Sequence, residues 1–385
     1  MTEKKISVLI PDLSLHGTTR GYTISQGLQK LGYQVNIYGF LFGSEIYPPP
    51  PYSLPITYFH GKPLPSLVKT MFDLSGEIDG DILYVIKPQL SSFGVGLIKA
   101  WRGKKSLILD LDDWEMGEWG GDDWQYQGQI INDIFNQHSD LRKPGHPLYL
   151  KWLEKAMNRV NGITVSSKFL EYRYGGTYLP NVRDTEAFNP DNFNSEELRA
   201  KYGLDNYKLL MVTGTAKPSQ GIEDILTALD QLNNPQLRLV LVGGNPENKD
   251  YYQQLLQKWG HWIIIIQPQS FDQIQDAIAL SHIMMITPQN LPVNVAKCPL
   301  ELIEAMAMAK PIIATKVGEN PLILGDTGYL INPQSPQEIA QQITLIIDNY
   351  EEAENRGKLA RERCKNHYSR DNLVNILEQV LIMNN

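Results

Sequence analysis

Short aliphatic runs that stop at a proline, a glycine or an acid recur along this chain, and a stretch long enough for a helix separates most neighbours. Ile6-Ser-Val-Leu-Ile10 ends at Pro11, Val35–Tyr38 follows, and Asp81-Ile-Leu-Tyr-Val-Ile86, Ser106-Leu-Ile-Leu-Asp110 and Ile163–Ser166 repeat the pattern. Continuous rather than alternating apolar character is the mark of strands buried on both faces. Between the first two runs, Tyr22, Ile24, Leu28 and Leu31 fall near one helical face that ends at Gly32. Strand, helix, strand units of this length pack as parallel pairs, so the expectation is an open, doubly wound α/β sheet. A polar stretch at about 189–204 interrupts the series. It restarts at Leu209–Thr213 and runs through a helix at 222–232, strands at 237–242, 262–266 and 283–286, a helix at 300–309 and the strand Pro311–Thr315. The same architecture is built twice, and 385 residues exceed what one core supports. The expected domains are 1–195 and 196–367, with a C-terminal helix at about 368–385 packing back on the first.

Composition narrows the function classes. Apolar content of 42% and charged content of 20% describe an ordinary globular chain, and no apolar run reaches the length of a bilayer-spanning helix. The N-terminus enters a strand rather than a leader, which points to the cytoplasm. A formal charge of −8 gives no electrostatic footprint for nucleic acid. Peripheral membrane contact would need a local basic patch working against that acidity. Cys298 and Cys364 have no metal-ligand spacing and read as two reduced thiols. The run Pro48–Pro51 lacks a backbone donor at every residue and reads as a surface loop.

The most informative segment is Lys297-Cys-Pro-Leu-Glu-Leu-Ile-Glu-Ala-Met-Ala-Met-Ala-Lys-Pro-Ile-Ile-Ala-Thr315: a loop, a helix opened by Pro299, a tight exit and a buried strand. Backbone N–H groups near Cys298 to Leu300 suit a phosphate, and Glu304, one turn in, suits ribose hydroxyls. On its own, Glu304 reads more readily as a solvated or helix-dipole carboxylate. The segment resembles the family-four retaining glycosyltransferases (glycosyl transferases group 1). So do Val212-Thr-Gly-Thr-Ala-Lys-Pro-Ser-Gln-Gly221, the pair Ser167-Lys-Phe-Leu170 and Leu179-Pro-Asn-Val-Arg-Asp-Thr-Glu-Ala-Phe188, and the stretch from Gly17-Thr-Thr-Arg20 to Gly32-Tyr-Gln-Val35.

The resemblance implies two Rossmann-like domains facing across a cleft, the GT-B arrangement, and transfer from a nucleotide-sugar donor with retention at the anomeric carbon. It implies neither cofactor nor metal, and a glycan, lipid-linked or small-molecule acceptor. It gives Glu304 the ribose contact and the backbone at Pro299 and Leu300 the diphosphate, with Gly17 and Gly214 allowing close approach to the donor. Two departures stand out. Thr215 and Gln220 occupy places where the family carries an arginine and a lysine, and Ala296 replaces the first of the paired glutamates. Lys217 and Lys297 are then the lysines in these loops able to meet the leaving diphosphate, although each also reads as a surface lysine. Base contacts are expected from backbone near 267–269.

In the N-terminal half, Asp110-Leu-Asp-Asp-Trp-Glu115 closes a buried strand where open sheets bind ligands. Four readings compete: a catalytic or acceptor-orienting role, a metal-binding Asp-x-Asp, a phosphohydrolase nucleophile, and a structural cluster capping the next helix. The family often has a His-Asp pair aligned with Asp112 and Asp113, so those two are the catalytic candidates, with Lys217 for the leaving group. Asp110, Trp114 and Glu115 are placed on the acceptor side, and His16 is the substitute for the missing histidine. The glycine-rich loop from Trp114 to Trp124 suits sugar faces, or packing. An active transferase is weighed against a non-catalytic subunit that kept the fold, and against a GT-B epimerase.

Overall fold

Each aliphatic run forms a parallel strand, and most are fully buried. The computed structural model describes residues 4–214, 216–243, 249–267 and 273–384, and the chain divides into two units. One comprises Met1–Pro180, Ala296–Cys298 and Arg370–Asn385, the other Asn181–Val295 and Pro299–Ser369.

The first unit holds β1 (Lys5–Ile10), β2 (Gln34–Leu41), β3 (Ile56–His60), β4 (Ile82–Ile86), β5 (Ser106–Leu111), β6 (Gly162–Val165) and β7 (Thr177–Tyr178). They are all parallel, in the order β3-β2-β1-β4-β5-β6-β7. The order reverses between β1 and β4, so loops leaving those two strands diverge and open a crevice at their C-terminal ends. The helix Thr18–Lys30 buries Tyr22, Ile24 and Leu28, and the final helix Arg370–Met383 packs on it. The fit is close: a Cβ on Gly27 would lie 2.8 Å from a Leu377 methyl. Sequence reasoning did not find β3 and β7. Both are edge strands with partly exposed residues, so neither shows the continuous apolar run of a central strand.

The second unit holds β8 (Lys208–Thr213), β9 (Leu237–Val242), β10 (Ile263–Ile266), β11 (Ile283–Ile286), β12 (Ile312–Thr315) and β13 (Tyr329–Ile331). Their order is β10-β9-β8-β11-β12-β13, again parallel and again reversing after the first strand. The helix Ile222–Leu232 turns Ile222, Ile225, Leu226 and Leu229 inward at helical spacing, onto a core shared with Leu239, Met285, Ile339 and Ile343.

The division differs from the expected boundary at 195/196. Arg361, in the helix Tyr350–His367, donates hydrogen bonds to the carbonyls of Phe188 (2.7 Å) and Thr185 (3.0 Å) and to Asn189 (3.0 Å). The Arg183 N–H donates to the Tyr368 carbonyl at 2.9 Å. These bonds fasten the segment after Pro180 to the second unit, whereas Ala296 lies in the core of the first.

The helix Tyr350–His367 carries Gly357 where a Cβ would sit 2.2 Å from the Ala309 carbonyl oxygen, in the turn after the helix Leu300–Ala307. In an open helix, Gly→Ala stabilises by about 1 kcal/mol. Here the sign reverses, because backbone cannot yield as a side chain does. Gly357→Ala is expected to lose about 1–3 kcal/mol in urea unfolding, and a gain would show that the contact gives way cheaply.

Candidate functional site

At the C-terminal end of the first sheet, charges are arranged in two ion-paired layers. The inner layer is sealed. Asp110, the last acid of β5 and fully buried, accepts Arg20 Nε at 2.6 Å and Nη2 at 2.8 Å, and Thr164 Oγ1 at 2.6 Å. Tyr84 hydrogen bonds to that threonine at 2.8 Å, and Arg20 also donates to the Leu179 carbonyl at 2.9 Å. Burial works against the Arg20 charge, but Asp110 and then Asp112 outweigh it and hold the guanidinium above its ordinary value. Asp110 therefore corrects its sequence assignment. It is not an acceptor-side group but the anchor that fixes Arg20, because every approach to it is occupied by protein.

The outer layer is partly open. Lys87 follows β4 and lies in the left-handed region at φ 64°, a conformation that is uncommon without glycine. Its N–H donates to the Asp110 carbonyl at 2.9 Å, and its own carbonyl accepts Ser92 Oγ at 2.8 Å, so both sides of the strained residue are held. The ammonium reaches Asp113 at 2.7 Å and Glu115 at 2.8 Å, and Gln89 completes the Glu115 carboxylate at 2.8 Å. A single turn of π-helix, Leu90–Gly94, follows, an irregularity frequent at functional sites.

Asp112 stands between the layers, 3.6 Å from Arg20 Nε, with its carbonyl accepting Ser166 Oγ. Burial, then the like charge of Asp113, pushes its pKa up to about 6 against the pull of Arg20 and Lys87. Burial raises Asp113 too, but Lys87 and then Lys297 outweigh it and hold that carboxyl below its ordinary value. The two acids the sequence singled out thus have opposite electrostatic characters, the pattern that separates a proton-exchanging group from a fixed charge. Lys297, expected at the diphosphate, counts with the first unit, and its charge acts on Asp113.

Two further candidates, Trp114 and Glu115, are engaged within the first unit. Trp114 is buried at 8% exposure, against Phe169 with ring centroids 5.3 Å apart and under Arg173 at 4.7 Å. A Cβ on Gly117 or Gly121 would meet its ring at 2.9 and 2.8 Å, so these glycines clear space for a packed tryptophan rather than for a sugar. Glu115 is taken up by Lys87 and Gln89. Trp124 and Tyr126 pack around His146 at 5.5 and 5.8 Å. His16 is exposed, edge-on to Tyr47 at 4.7 Å, and a Cβ on its neighbour Gly17 would lie 3.8 Å from Lys87 Cε.

In the second unit, two loops leaving β8 and β11 are laced together by backbone. Thr287 Oγ1 donates to the Gln220 carbonyl at 2.9 Å, and Asn294 Nδ2 and the Gln289 N–H both donate to the Ser219 carbonyl at 2.9 Å. Gly221, at φ 67°, comes so near that a Cβ would lie 2.3 Å from the Thr287 carbonyl oxygen. The turn Pro218–Gln220 presents Lys217, exposed and paired with no carboxylate among the described residues. Gly214, at φ 90°, faces the helix Leu300–Ala307, a Cβ there lying 3.3 Å from Glu301 Oε1. That helix starts after Pro299, which has no side chain able to cap it. Thr215 lies outside the described residues, as do positions 268 and 269 of the expected base contact.

Glu304 is 5% exposed, with Arg183 Nε at 2.8 Å and Nη2 at 2.5 Å, both on Oε1. Arg183 was not singled out from the sequence, and neither were Arg20 and Lys87. Arg183 reaches Glu304 across a separation of 121 residues, for which no local pattern exists. Lys87 leaves a signal, a cation before proline at the end of a buried strand. Among the described residues, no cluster of three His, Cys, Asp or Glu side chains is placed to hold a metal ion.

Residues 194–363 match the family model described as Glycosyl transferases group 1. Sulfoquinovosyl transferase SQD2 of Arabidopsis thaliana is 25% identical over 191 residues, which is 48% of this chain and 35% of that protein. N-acetyl-alpha-D-glucosaminyl L-malate synthase of Bacillus anthracis is 26% identical over 191 residues, 48% of each. The chain therefore spans less than half the length of these relatives. Anabaena HepE, solved in complex with UDP and glucose, shares the fold with a TM-score of 0.74 at 17% identity, over 99% of this chain and 100% of that one. The fold is GT-B.

Two outcomes follow from the charge layers. Arg20→Met leaves Asp110 buried and unpaired, and is expected to lose about 3–5 kcal/mol in urea unfolding, whereas the double variant with Asp110→Leu loses less. A carboxyl titrating near pH 6 should be visible by infrared difference spectroscopy, vanish in Asp112→Asn and move down in Asp113→Asn. Because this acid's folded pKa is raised above its unfolded value of about 3.9, its stabilising contribution is full below that pH and is lost as pH rises through 6. A midpoint unmoved by Asp113→Asn would refute the coupling.

Proposed function

We propose that the chain transfers a sugar from a nucleotide-sugar donor to an acceptor with retention at the anomeric carbon, without a metal; the match of residues 194–363 to the glycosyl transferases group 1 model and the GT-B fold support this reading. The observation that carries this reading is the start of the helix Leu300–Ala307 at Pro299, a residue with no capping side chain, with Gly214 clearing the approach and Lys217 exposed in the loop after β8. Its N–H groups receive the diphosphate, and Lys217 meets the charge that develops as the nucleotide leaves. Glu304 takes the ribose hydroxyls through Oε2, while Arg183 holds Oε1 and sets the carboxylate's orientation. Arg183 is a positioning residue in this scheme.

On the first unit, Asp112 orients the acceptor hydroxyl and exchanges its proton, and Asp113 stays ionised on Lys87. Metal-free transfer is supported by the cation already set against both acids of the Asp-x-Asp run, Arg20 on Asp110 and Asp112. The acceptor is a glycan, a lipid-linked sugar or a small molecule.

A thermal-shift screen with uridine, guanosine and adenosine diphosphates identifies the base, since a specific ligand raises the unfolding temperature by mass action. With the responding nucleotide sugar, Lys217→Ala is expected to lower turnover about a hundredfold with a smaller loss of nucleotide affinity. Glu304→Gln is expected to weaken nucleotide binding by about 1–3 kcal/mol, and to lower stability as well because the Arg183 charge is left without its anion. A parent protein that neither binds nor hydrolyses any nucleotide sugar would make the chain a non-catalytic relative, and chelator-sensitive activity restored by a divalent ion would overturn the metal-free scheme.

A further inference from the structure

We infer that the second unit binds a small organic carboxylate in a cavity at the N-terminal ends of β8, β9 and β11, where the His282 ring and the Lys208 ammonium meet apolar walls. The cavity measures about 290 Å³ with its mouth included, and Leu210, Leu237, Ile283 and Ile347 line it together with Lys208 and His282. It has room for a ligand of a few heavy atoms, at the small end of the usual range for binding pockets. Lys208 opens β8 and His282 immediately precedes β11, whereas the loops bearing Gly214, Lys217 and Gln289 leave the opposite ends of the same two strands. A strand of six residues such as β8 spans about 17–20 Å, so the cavity is separate from those loops.

The His282 imidazole supplies a donor with no answer in the protein. The residue is only 7% exposed. Its backbone N–H donates to the Leu209 carbonyl at 2.9 Å, and its Nδ1 accepts the Leu209 N–H at 3.0 Å, which pins the ring and occupies one nitrogen. Burial, then the charges of Arg199, Lys208 and Lys310, push its pKa down to about 3, so the ring is neutral. With Nδ1 an acceptor, the single ring proton is on Nε2. That N–H has no acceptor among the described residues. A polar group so deeply placed is costly until a water or a ligand completes it.

The charges around the ring select an anion. Arg199 donates to the Leu280 carbonyl at 3.2 Å, and Lys310 to the carbonyls of Ala279 and Ser281 at 2.8 and 3.0 Å. Both cations are thus held by neutral groups at the C-terminal end of the helix Gln273–Leu280. Lys208 lies over the Tyr350 ring at 5.5 Å. None of the three pairs with a carboxylate among the described residues, and the acid whose charge acts on Lys310 is Glu354. A carboxylate answers this field by accepting from His282 Nε2–H and from the Lys208 ammonium, while its hydrocarbon body takes the leucine and isoleucine walls. Inorganic phosphate would answer the charges but would lose its water against hydrocarbon. The inference does not depend on the transferase reading.

The test is saturation-transfer NMR and calorimetry on the full chain with butyrate, using butyramide and inorganic phosphate as comparators. Butyrate is expected to bind roughly tenfold more tightly than butyramide, the difference one charge-assisted bond makes, and phosphate more weakly than either. A saturating mixture of uridine, guanosine and adenosine diphosphates should leave butyrate bound. Lys208→Met should weaken butyrate roughly tenfold without changing butyramide. His282→Asn, which keeps an acceptor for the Leu209 N–H but loses the Nε2 donor, should weaken it as well. Ile347→Phe fills the cavity and should abolish binding, while Lys258→Met, outside the cavity, leaves it unchanged. An unaltered unfolding temperature confirms that the variants fold, and the exposed position of Lys208 makes its variant the least disruptive of them. Butyrate that does not bind, binds no better than butyramide, is displaced by the nucleotides, or is held equally well by Lys208→Met and His282→Asn would overturn the inference.

Discussion

The first unit is organised around the fork that Arg20 makes with Asp110. One guanidinium reaches from the first turn of a helix to the end of β5, donates to the Leu179 carbonyl beyond β7, and shares Asp110 with a threonine of β6. A buried ion pair contributes little net stability, because desolvation offsets most of the attraction. Its value is in specificity. Any slip of the helix against the sheet would strand a charge in the core, so the strand ends are held in one register. The positions of Asp112, Asp113 and Lys87 follow from that register.

The alternation of apolar runs was sufficient to read the doubly wound sheets, since burial on both faces is a property of consecutive residues. The edge strands of the first sheet escaped because half-exposed residues obey a weaker pattern. The helix from Leu300 was also legible, because its proline start and its apolar spacing are local in sequence. What was not legible was the partner of each acid. Arg20 did leave a trace, for it lies four residues before Ile24 on the apolar stripe of its helix, where a cation needs an anion. Nothing in the sequence says which anion. Trp114 shows the converse error: its glycines suggested a loop kept open for a ligand, when they make room for the ring itself.

The second unit solves its positioning problem with neutral groups. Backbone carbonyls of Ser219 and Gln220 are held by Asn294 and Thr287, so the loop that offers Lys217 is shaped without spending a charge on its own support. A cation left over in such a frame can answer an incoming anion. The first unit does the opposite, balancing acids against Arg20 and Lys87 until only the difference between Asp112 and Asp113 is left to be used.

The first unit is completed by residues from the far end of the chain, and this has a consequence for biosynthesis. The helix Thr18–Lys30 leaves the ribosome early, but Leu373 and Leu377, which cover it at Gly27, are made only after the whole second unit. At ordinary elongation rates of about 5–20 residues per second, an apolar helix face waits on the order of ten seconds or more for its cover. During that interval the nascent protein presents a surface that a chaperone can hold or a neighbouring chain can capture. Yield in the cell is therefore coupled to translation speed and chaperone supply through one glycine-lined contact.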